Sequence, residues 1–277
     1  MSFEAAGKRI GSLAVNLIRL VIAFFFLAAF GWIVRGLPLP TDATAHNWIW
    51  LLLSGLVGFT IGDLTLFRAF VLIGSRVSML IMALVPPITA IFGWLLMGEV
   101  LGLQDWGGML LTVAGVAMVI LERKKDENGV AIRLAPAGVL LAFLGAFGQA
   151  GGLVLSKYGM AQYNPFAATQ IRVIAGIVGF SVIFMFIGWW PRVFEGVRNK
   201  SAMKRVSLGA FFGPFLGVSL SLMAVQHAKA GVAATIMALT PVLIIAPTRI
   251  VFKEKISRTS IIGALIAVSG VALLILT

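Results

Sequence analysis

A succession of long apolar segments constrains this sequence more than any other feature. Hydrophobic residues occupy 60% of its 277 positions and charged residues only 12%, roughly half the charged fraction of a soluble domain. Several segments approach the ~20 residues that a helix needs to cross a bilayer. The sequence therefore predicts an all-α polytopic membrane protein. The nine predicted segments are residues 11–34, 48–67, 77–98, 105–121, 136–156, 165–190, 206–226, 231–252 and 259–276.

The second half of the chain repeats the first half. The segment Ile81–Pro86 returns as Ile236–Pro241 with one substitution, at a shift of 155 positions. The same shift pairs Glu99 with Glu254 and places four glycines of the first half on glycines of the second. Equivalent segments lie an odd number of crossings apart, so the two copies are predicted to cross the membrane in opposite senses. Inverted repeats of this kind typically enclose a transport site near the midplane.

The net charge of +12 indicates the orientation of the segments rather than a nucleic-acid partner. Short cytoplasmic loops carry an excess of Lys and Arg, and most basic residues here fall on one side of the predicted membrane. Residues 123–134 form a basic cytoplasmic linker between a first repeat, residues 1–122, and a second repeat, residues 135–277. The chain contains no cysteine, which excludes disulfides and thiolate chemistry.

Short motifs recur in corresponding places of the two repeats. They are an Arg within apolar residues (Arg19, Arg172), the segments Leu84–Pro86 and Leu239–Pro241, and the segments Met97–Glu99 and Phe252–Glu254. Together they resemble the drug/metabolite transporter superfamily, EamA family, over essentially the whole chain. The resemblance implies two inverted repeats of five transmembrane helices, with the first helix missing from this sequence. We therefore expect about nine spans, from a start placed too late or from a nine-helix variant.

The resemblance also implies a function. We expect a secondary transporter, a permease or exporter, that moves small organic solutes such as amino acids or related metabolites by alternating access. The expected location is the cell (inner or plasma) membrane, with membrane lipid and the solute as partners. The sequence predicts no cofactor, no metal site and no enzymatic activity, and leaves a proton as coupling ion and a homodimer open. The alternatives are a membrane assembly or structural protein, or an inactive truncated transporter.

Charged residues inside the apolar segments are candidates for the substrate cavity, namely Arg19, Asp63 and Arg172. Arg19 and Arg172 are each about two turns from a segment end, where a charge costs roughly 2.5–3.5 kcal/mol on insertion scales. They could snorkel to the headgroups, hold an anionic group of the substrate, or form structural ion pairs. Asp63 is a candidate proton site, and a buried pair with Arg19 or Arg68 explains it equally well.

Two polar residues of the fifth segment are further candidates for the substrate cavity. Gln149 lies near its middle and could bind the substrate or a neighbouring helix. Lys157 lies near its outer end and resembles a position that is commonly Lys in the family, although an interfacial anchor also explains it.

Prolines and glutamates mark equivalent places in the two repeats. Pro86 and Pro241 fall inside apolar segments, where proline removes a backbone donor, so they predict either a fixed kink or a bend at a gated cavity. Glu99 and Glu254 each follow a segment, where they are predicted to cap the next helix through its N-terminal amides, with a role in substrate gating as the alternative.

Overall fold

The computed structural model describes residues 12–122, 135–198, 200–243 and 258–275. This part of the chain is helical and contains no β-strand, which confirms the predicted fold class. In chain order the elements are α1 (Ser12–Arg35), α2 (Ala45–Gly55), π1 (Leu56–Gly62), α3 (Asp63–Met82), α4 (Val85–Met97), α5 (Leu103–Glu122), α6 (Pro136–Met160), α7 (Pro165–Ile187), α8 (Trp190–Arg198), α9 (Lys200–Ala210), π2 (Phe211–Gly217), α10 (Val218–His227), α11 (Ala230–Met237), α12 (Thr240–Leu243) and α13 (Arg258–Ile275).

Local sequence signals determine several helix ends. The Asn164 side chain accepts hydrogen bonds from the backbone N–H groups of Phe166 and Ala167, and Pro165 occupies the first turn of α7. Both are favoured choices for starting a helix. Helix α7 ends at Gly188, whose φ of 66° lies in the left-handed region that glycine adopts without strain.

Within the described residues, seven helical stretches are long and apolar enough to cross a membrane. They match the first seven predicted segments, and they make this a multi-pass membrane protein. The eighth predicted segment begins as α11 and α12 and then passes outside the described residues. The ninth appears as a shorter apolar helix, Ile261–Ile275. The predicted count of nine spans is therefore not confirmed.

The chain divides into two compact units that do not coincide with the two sequence repeats. Unit 1 consists of Met1–Phe67 and Gly151–His227, and unit 2 of Arg68–Ala150 and Ala228–Thr277. Each unit therefore combines one part of the first repeat with the corresponding part of the second. The internal packing of each unit is an association between repeats.

Both repeats interrupt their helices at equivalent positions. The π-helix π1 (Leu56–Gly62) and the π-helix π2 (Phe211–Gly217) are related by the 155-residue shift at both ends. Pro214 lies inside π2. Proline has no backbone N–H to donate and its ring clashes with the preceding turn of an α-helix, and the wider turn of a π-helix accommodates it. The equivalent residue in π1 is Phe59, so the wider turn there does not depend on a proline.

A second interruption follows in each repeat. Helix α3 ends at Met82 and α4 begins at Val85, while α11 ends at Met237 and α12 begins at Thr240. These boundaries again differ by 155 positions. The internal symmetry of the sequence is thus reproduced in the backbone, down to the residues where helices stop and restart.

In unit 2, helices α5 and α13 cross through glycines. A Cβ on Gly108 would lie 2.7 Å from the carbonyl oxygen of Gly270, and a Cβ on Gly115 would lie 2.5 Å from that of Gly263. Residue numbers rise along α5 as they fall along α13, so the two helices are antiparallel. Since α5 and α13 are repeat equivalents, this crossing shows the inversion that the sequence predicts. Small residues permit such close backbone approach between membrane helices.

In unit 1, α1 and α7 pack against each other and against the π-helices. Helix α7 contacts π1 and helix α1 contacts π2, so the helices that carry Arg19 and Arg172 each pack on the π-helix of the other repeat. Leu17, Leu20, Phe180 and Phe184 are buried in the resulting core. At the junction of α7 with π1 this core contains charged side chains.

Candidate functional site

The buried charges of unit 1 form one cluster, which joins three elements. Arg19 and Asn16 lie on α1, Arg172 lies on α7, and Asp63 follows directly after π1. Asn16 and Arg19 are three residues apart and therefore share one face of α1. The predicted candidates Arg19, Asp63 and Arg172 are thus brought together by the fold.

Asp63 is the acceptor at the centre of this cluster. Asp63 is buried, with 8% of its surface exposed. The Asn16 side-chain amide donates to Asp63 Oδ2 at 3.0 Å, and Arg19 Nη2 lies 3.6 Å from the same oxygen. Arg19 also donates to Asn16 Oδ1. Of the explanations that the sequence left open for Asp63, the buried pair with Arg19 is present in the structure.

Arg172 is the more deeply buried of the two arginines, with 5% exposure. Its guanidinium carbon lies 4.8 Å from the centre of the Phe59 ring in π1, a favourable cation–π geometry. Among the described residues, its buried Nε has no hydrogen-bond partner. With this exposure, the Arg172 side chain is enclosed by neighbouring protein groups.

The close approach of α7 to π1 depends on glycine. A Cβ on Gly179 would lie 2.3 Å from Thr60 Oγ1, and a Cβ on Gly55 would lie 2.4 Å from the Arg172 carbonyl oxygen. Thr60 Oγ1 is itself buried without a hydrogen-bond partner among the described residues. The cluster therefore contains two arginines, one carboxylate and donor groups that remain available for an acceptor. Such an arrangement can bind an anionic group.

Gln149 and Lys157 occupy other positions on α6. Gln149 lies at mid-helix in unit 2 and is half-buried, and Lys157 lies in the last turn in unit 1 and is also half-buried. Each has an interaction partner of its own. Their predicted roles in a substrate cavity stay predictions.

The prolines follow helix breaks instead of bending continuous helices. Pro86 lies in the first turn of α4, and Pro241 lies in the first turn of α12. Proline is tolerated in a first turn because the missing N–H would have no intrahelical partner there. Each proline thus marks the restart of an interrupted helix.

Glu99 caps a helix of the other repeat. Its Oε2 accepts a hydrogen bond from the backbone N–H of Ala230 at 2.8 Å, so the helix served by this contact is α11 and not the α5 that follows in the chain. At the start of α5, Asp105 accepts from the Gly102 N–H at 2.9 Å and from Lys229 Nζ at 2.8 Å. Glu254 lies outside the described residues.

A cavity of about 210 Å³ lies beside this cap in unit 2. Its lining is mostly apolar and includes Trp94, Glu99 and Trp106. The charged cluster of unit 1 does not contribute to it. In the part of the chain that the structure describes, no group of three or more His, Asp or Glu residues could hold a metal ion.

One end of unit 1 carries a polar network that the sequence did not predict. Asp42 accepts hydrogen bonds from Arg35 and, at 2.7 Å, from the Tyr163 hydroxyl. Burial, as the largest cause, and the bond to Asp42 raise the pKa of Tyr163 to about 12. Partial burial tends to raise the pKa of Asp42, but the bonds from Arg35 and Tyr163 outweigh it and lower that pKa below its ordinary value.

A comparison with protein families identifies the chain. The EamA-like transporter family matches residues 2–121 and 136–276, so one match lies on each repeat. The chain belongs to the EamA-like transporter family.

One curated protein and one solved structure are also similar to this chain. The uncharacterized transporter YvbV of Bacillus subtilis (strain 168) is 24% identical to this EamA-like chain over 189 residues, which are 68% of the chain and 59% of YvbV. The chain thus spans less than two thirds of that relative. A solved crystal structure shares the fold, with a TM-score of 0.76 at 18% identity, over 99% of this chain and 91% of the other.

The EamA match covers every predicted site residue, but the geometry adds two that sequence reasoning missed. Asn16 donates to Asp63, and the Phe59 ring faces Arg172. The spacing of Asn16 from Arg19 was a usable signal, because residues three apart on a helix are neighbours. The contact of Phe59 with Arg172 had no comparable signal, since it joins distant parts of the chain.

Proposed function

We propose that this EamA-like chain is a secondary transporter of small organic solutes, most simply amino acids or related metabolites, in the cell membrane. The observation that carries the proposal is the matched interruption of helices in the two repeats, at π1 and π2 and after Met82 and Met237. Discontinuous helices in inverted repeats are the elements from which secondary transporters build their binding sites.

The same interruptions support alternating access as the mechanism. A π-helix contains wider turns and often marks a functional site, and a helix break leaves backbone groups that protein or water must satisfy. Because each repeat carries both features at equivalent positions, an exchange of conformation between the repeats would produce a state that opens to the opposite side of the membrane. Such an exchange opens a midplane site to each side in turn.

The charge of the unit 1 cluster supports a solute that carries a carboxylate. The cluster, as described, contains two guanidinium groups and a single carboxylate, that of Asp63, so it has an excess positive charge. Arginine is suited to carboxylates because its planar group donates two parallel hydrogen bonds. In this proposal Arg172 binds the solute, while Arg19 is held by Asp63 and Asn16.

A role for Asp63 as a proton site has weaker support. Its carboxylate accepts from Asn16 and is paired with Arg19, so its contacts in this structure are those of a buried ion pair. We therefore propose a structural role for Asp63 and leave the coupling ion to experiment.

The test is transport by the purified chain in proteoliposomes. Uptake and efflux of a labelled panel of amino acids and related metabolites are measured with and without a pH gradient. We expect one class of carboxylate-bearing solute to move, and we expect Arg172→Met to reduce its rate about 10-fold or more, as for the loss of a hydrogen bond to a charged group.

The matched control is Arg68→Gln, which removes one exposed arginine on α3 and should leave the rate unchanged. Transport that survives Arg172→Met would assign the cluster to folding and not to solute binding. If folded protein moves no member of the panel, the proposed substrate class is wrong.

A further inference from the structure

Helix α8 (Trp190–Arg198) has three chemically different faces. Val193 and Gly196 are buried, and Val193 belongs to the unit 1 core. Phe194 is 60% exposed and Val197 is 49% exposed. With 3.6 residues per turn, Arg192, Glu195 and Arg198 fall on the remaining side of the helix. All three are exposed.

Helix α9 (Lys200–Ala210), the next helix in the chain, also carries exposed basic side chains. Lys204 and Arg205 are exposed, whereas Val206 is buried in the same core as Val193. We call Arg192, Arg198, Lys204 and Arg205 the basic face. Glu195 is the single acidic residue among residues 190–210, so this surface has a strong excess of positive charge.

Tryptophans anchor the start of α8. The Arg192 guanidinium carbon lies 4.4 Å from the centre of the Trp189 ring, and that ring packs at 6.0 Å on Phe184 of α7. The Trp190 ring packs at 6.2 Å on Phe194. Tryptophan is enriched where a membrane meets water, because its ring is apolar and its N–H is polar. The position of these rings agrees with an interfacial helix.

We propose that α8 lies in the plane of the membrane interface and that the basic face binds the phosphate groups of anionic phospholipids. A helix with an exposed apolar face beside a basic face binds membranes in this orientation. The lipid acyl chains would cover Phe194 and Val197, and the headgroup phosphates would neutralise the basic face. A soluble polyanion would leave Phe194 and Val197 in water, so a lipid fits both surfaces better.

The experiment measures lipid binding by the full purified chain. Phosphatidylglycerol and phosphatidylcholine are titrated separately into delipidated protein, and the bound lipids are counted by native mass spectrometry. We expect wild-type protein to prefer phosphatidylglycerol. The double variant Arg192→Gln/Arg198→Gln should bind it about 25-fold more weakly, since each basic residue near an anionic surface contributes about fivefold.

Two further variants test the placement of this site. Arg35→Gln removes an arginine that contacts Tyr163 beside the start of α7, whereas α8 follows the end of α7. The 23 residues of α7 span about 35 Å, so this variant should change the affinity by less than about twofold, because charges outside the Debye length are screened. Glu195→Gln removes the acidic residue from α8 and should tighten binding, which provides a test even where the double variant folds poorly.

Three results would overturn the proposal. They are equal binding of the two lipids by wild-type protein, an equal loss in Arg35→Gln and in the double variant, and full competition by soluble glycerol phosphate. The last result would indicate a site for free phosphate. The assay does not measure transport, so a failure of this proposal is distinguishable from a failure of the proposed function.

Discussion

The two units join their helices through different kinds of contact. Unit 2 joins repeat-equivalent helices α5 and α13 through glycines that the two repeats share, namely Gly108 and Gly115 with Gly263 and Gly270. Unit 1 joins α1, α7 and π1 around Asp63, whose repeat equivalent is Val218. The crossing in unit 2 is symmetric and formed by glycines, whereas the junction in unit 1 has a symmetric backbone and an asymmetric charge.

This difference separates two requirements on a repeated membrane protein. Close packing of inverted helices needs small residues on both sides of the crossing, so the same residue type is required in each repeat. A buried charge needs one partner of opposite sign, which a single repeat can provide. Asp63 is therefore a position where the two copies differ in charge while their helices keep the same bounds.

The largest effect should come from making the two repeats alike at that position. Asp63→Val introduces the residue found at position 218 and leaves Arg19 and Arg172 without their carboxylate. Breaking a buried pair costs about 3–5 kcal/mol, because the remaining charge is uncompensated. We expect a corresponding loss in the free energy of unfolding, measured by denaturant titration in mixed micelles.

A double variant separates the loss of the pair from the loss of packing. Asp63→Val/Arg19→Met removes both partners of the 3.6 Å contact and should recover part of the lost stability. If the single and double variants are equally unstable, the pair does not determine the cost. Wild-type stability in Asp63→Val would contradict the importance of the cluster for folding.

The second prediction concerns the glycine crossing of unit 2. A Cβ on Gly115 would lie 2.4 Å from the backbone nitrogen of Ala267, whereas a Cβ on Gly107 would meet only Leu273 Cδ2, at 3.8 Å. Gly115→Ala should therefore cost about 1–3 kcal/mol through overpacking. Gly107→Ala, the matched control on the same helix, should be neutral or slightly stabilising, as read by the same titration.

The smallest effect belongs to the polar network at the end of unit 1. The pKa of Tyr163 is raised to about 12, so its protonated form should contribute stability below the unfolded value of about 10 and lose that contribution as the pH rises toward 12. The pKa of Asp42 is lowered, so its contribution should be present above its unfolded value of about 3.9 and disappear as the pH falls.

Ultraviolet absorbance of tyrosinate against pH checks the first of these statements. The chain has two tyrosines, and Tyr163→Phe identifies which transition belongs to Tyr163. The variant should lower stability at neutral pH by at most about 1 kcal/mol, because Asp42 is exposed and such surface networks are weak. A Tyr163 transition near pH 10 would contradict the raised pKa that burial and the bond to Asp42 produce.

Much of the architecture could be predicted from the sequence because it depends on local and periodic properties. Segment length and apolar composition predicted seven of the spans that the structure contains, and an odd number of crossings predicted the inversion seen between α5 and α13. The 155-residue shift even relates the two helix breaks and the two π-helices. The breaks themselves were expected as proline kinks, since sequence alone does not distinguish a bent helix from a stopped one.

The sequence by itself determined the class of fold, the internal symmetry and the identity of the buried charges. Only the tertiary structure decided which of these charges meet, that Glu99 caps α11, and that each compact unit combines parts of both repeats. The physical reason is that residue type and periodicity report the surroundings that a residue requires. Its partners are chosen by contacts between helices that are far apart in the chain, as Arg172 on α7 and Phe59 in π1 demonstrate.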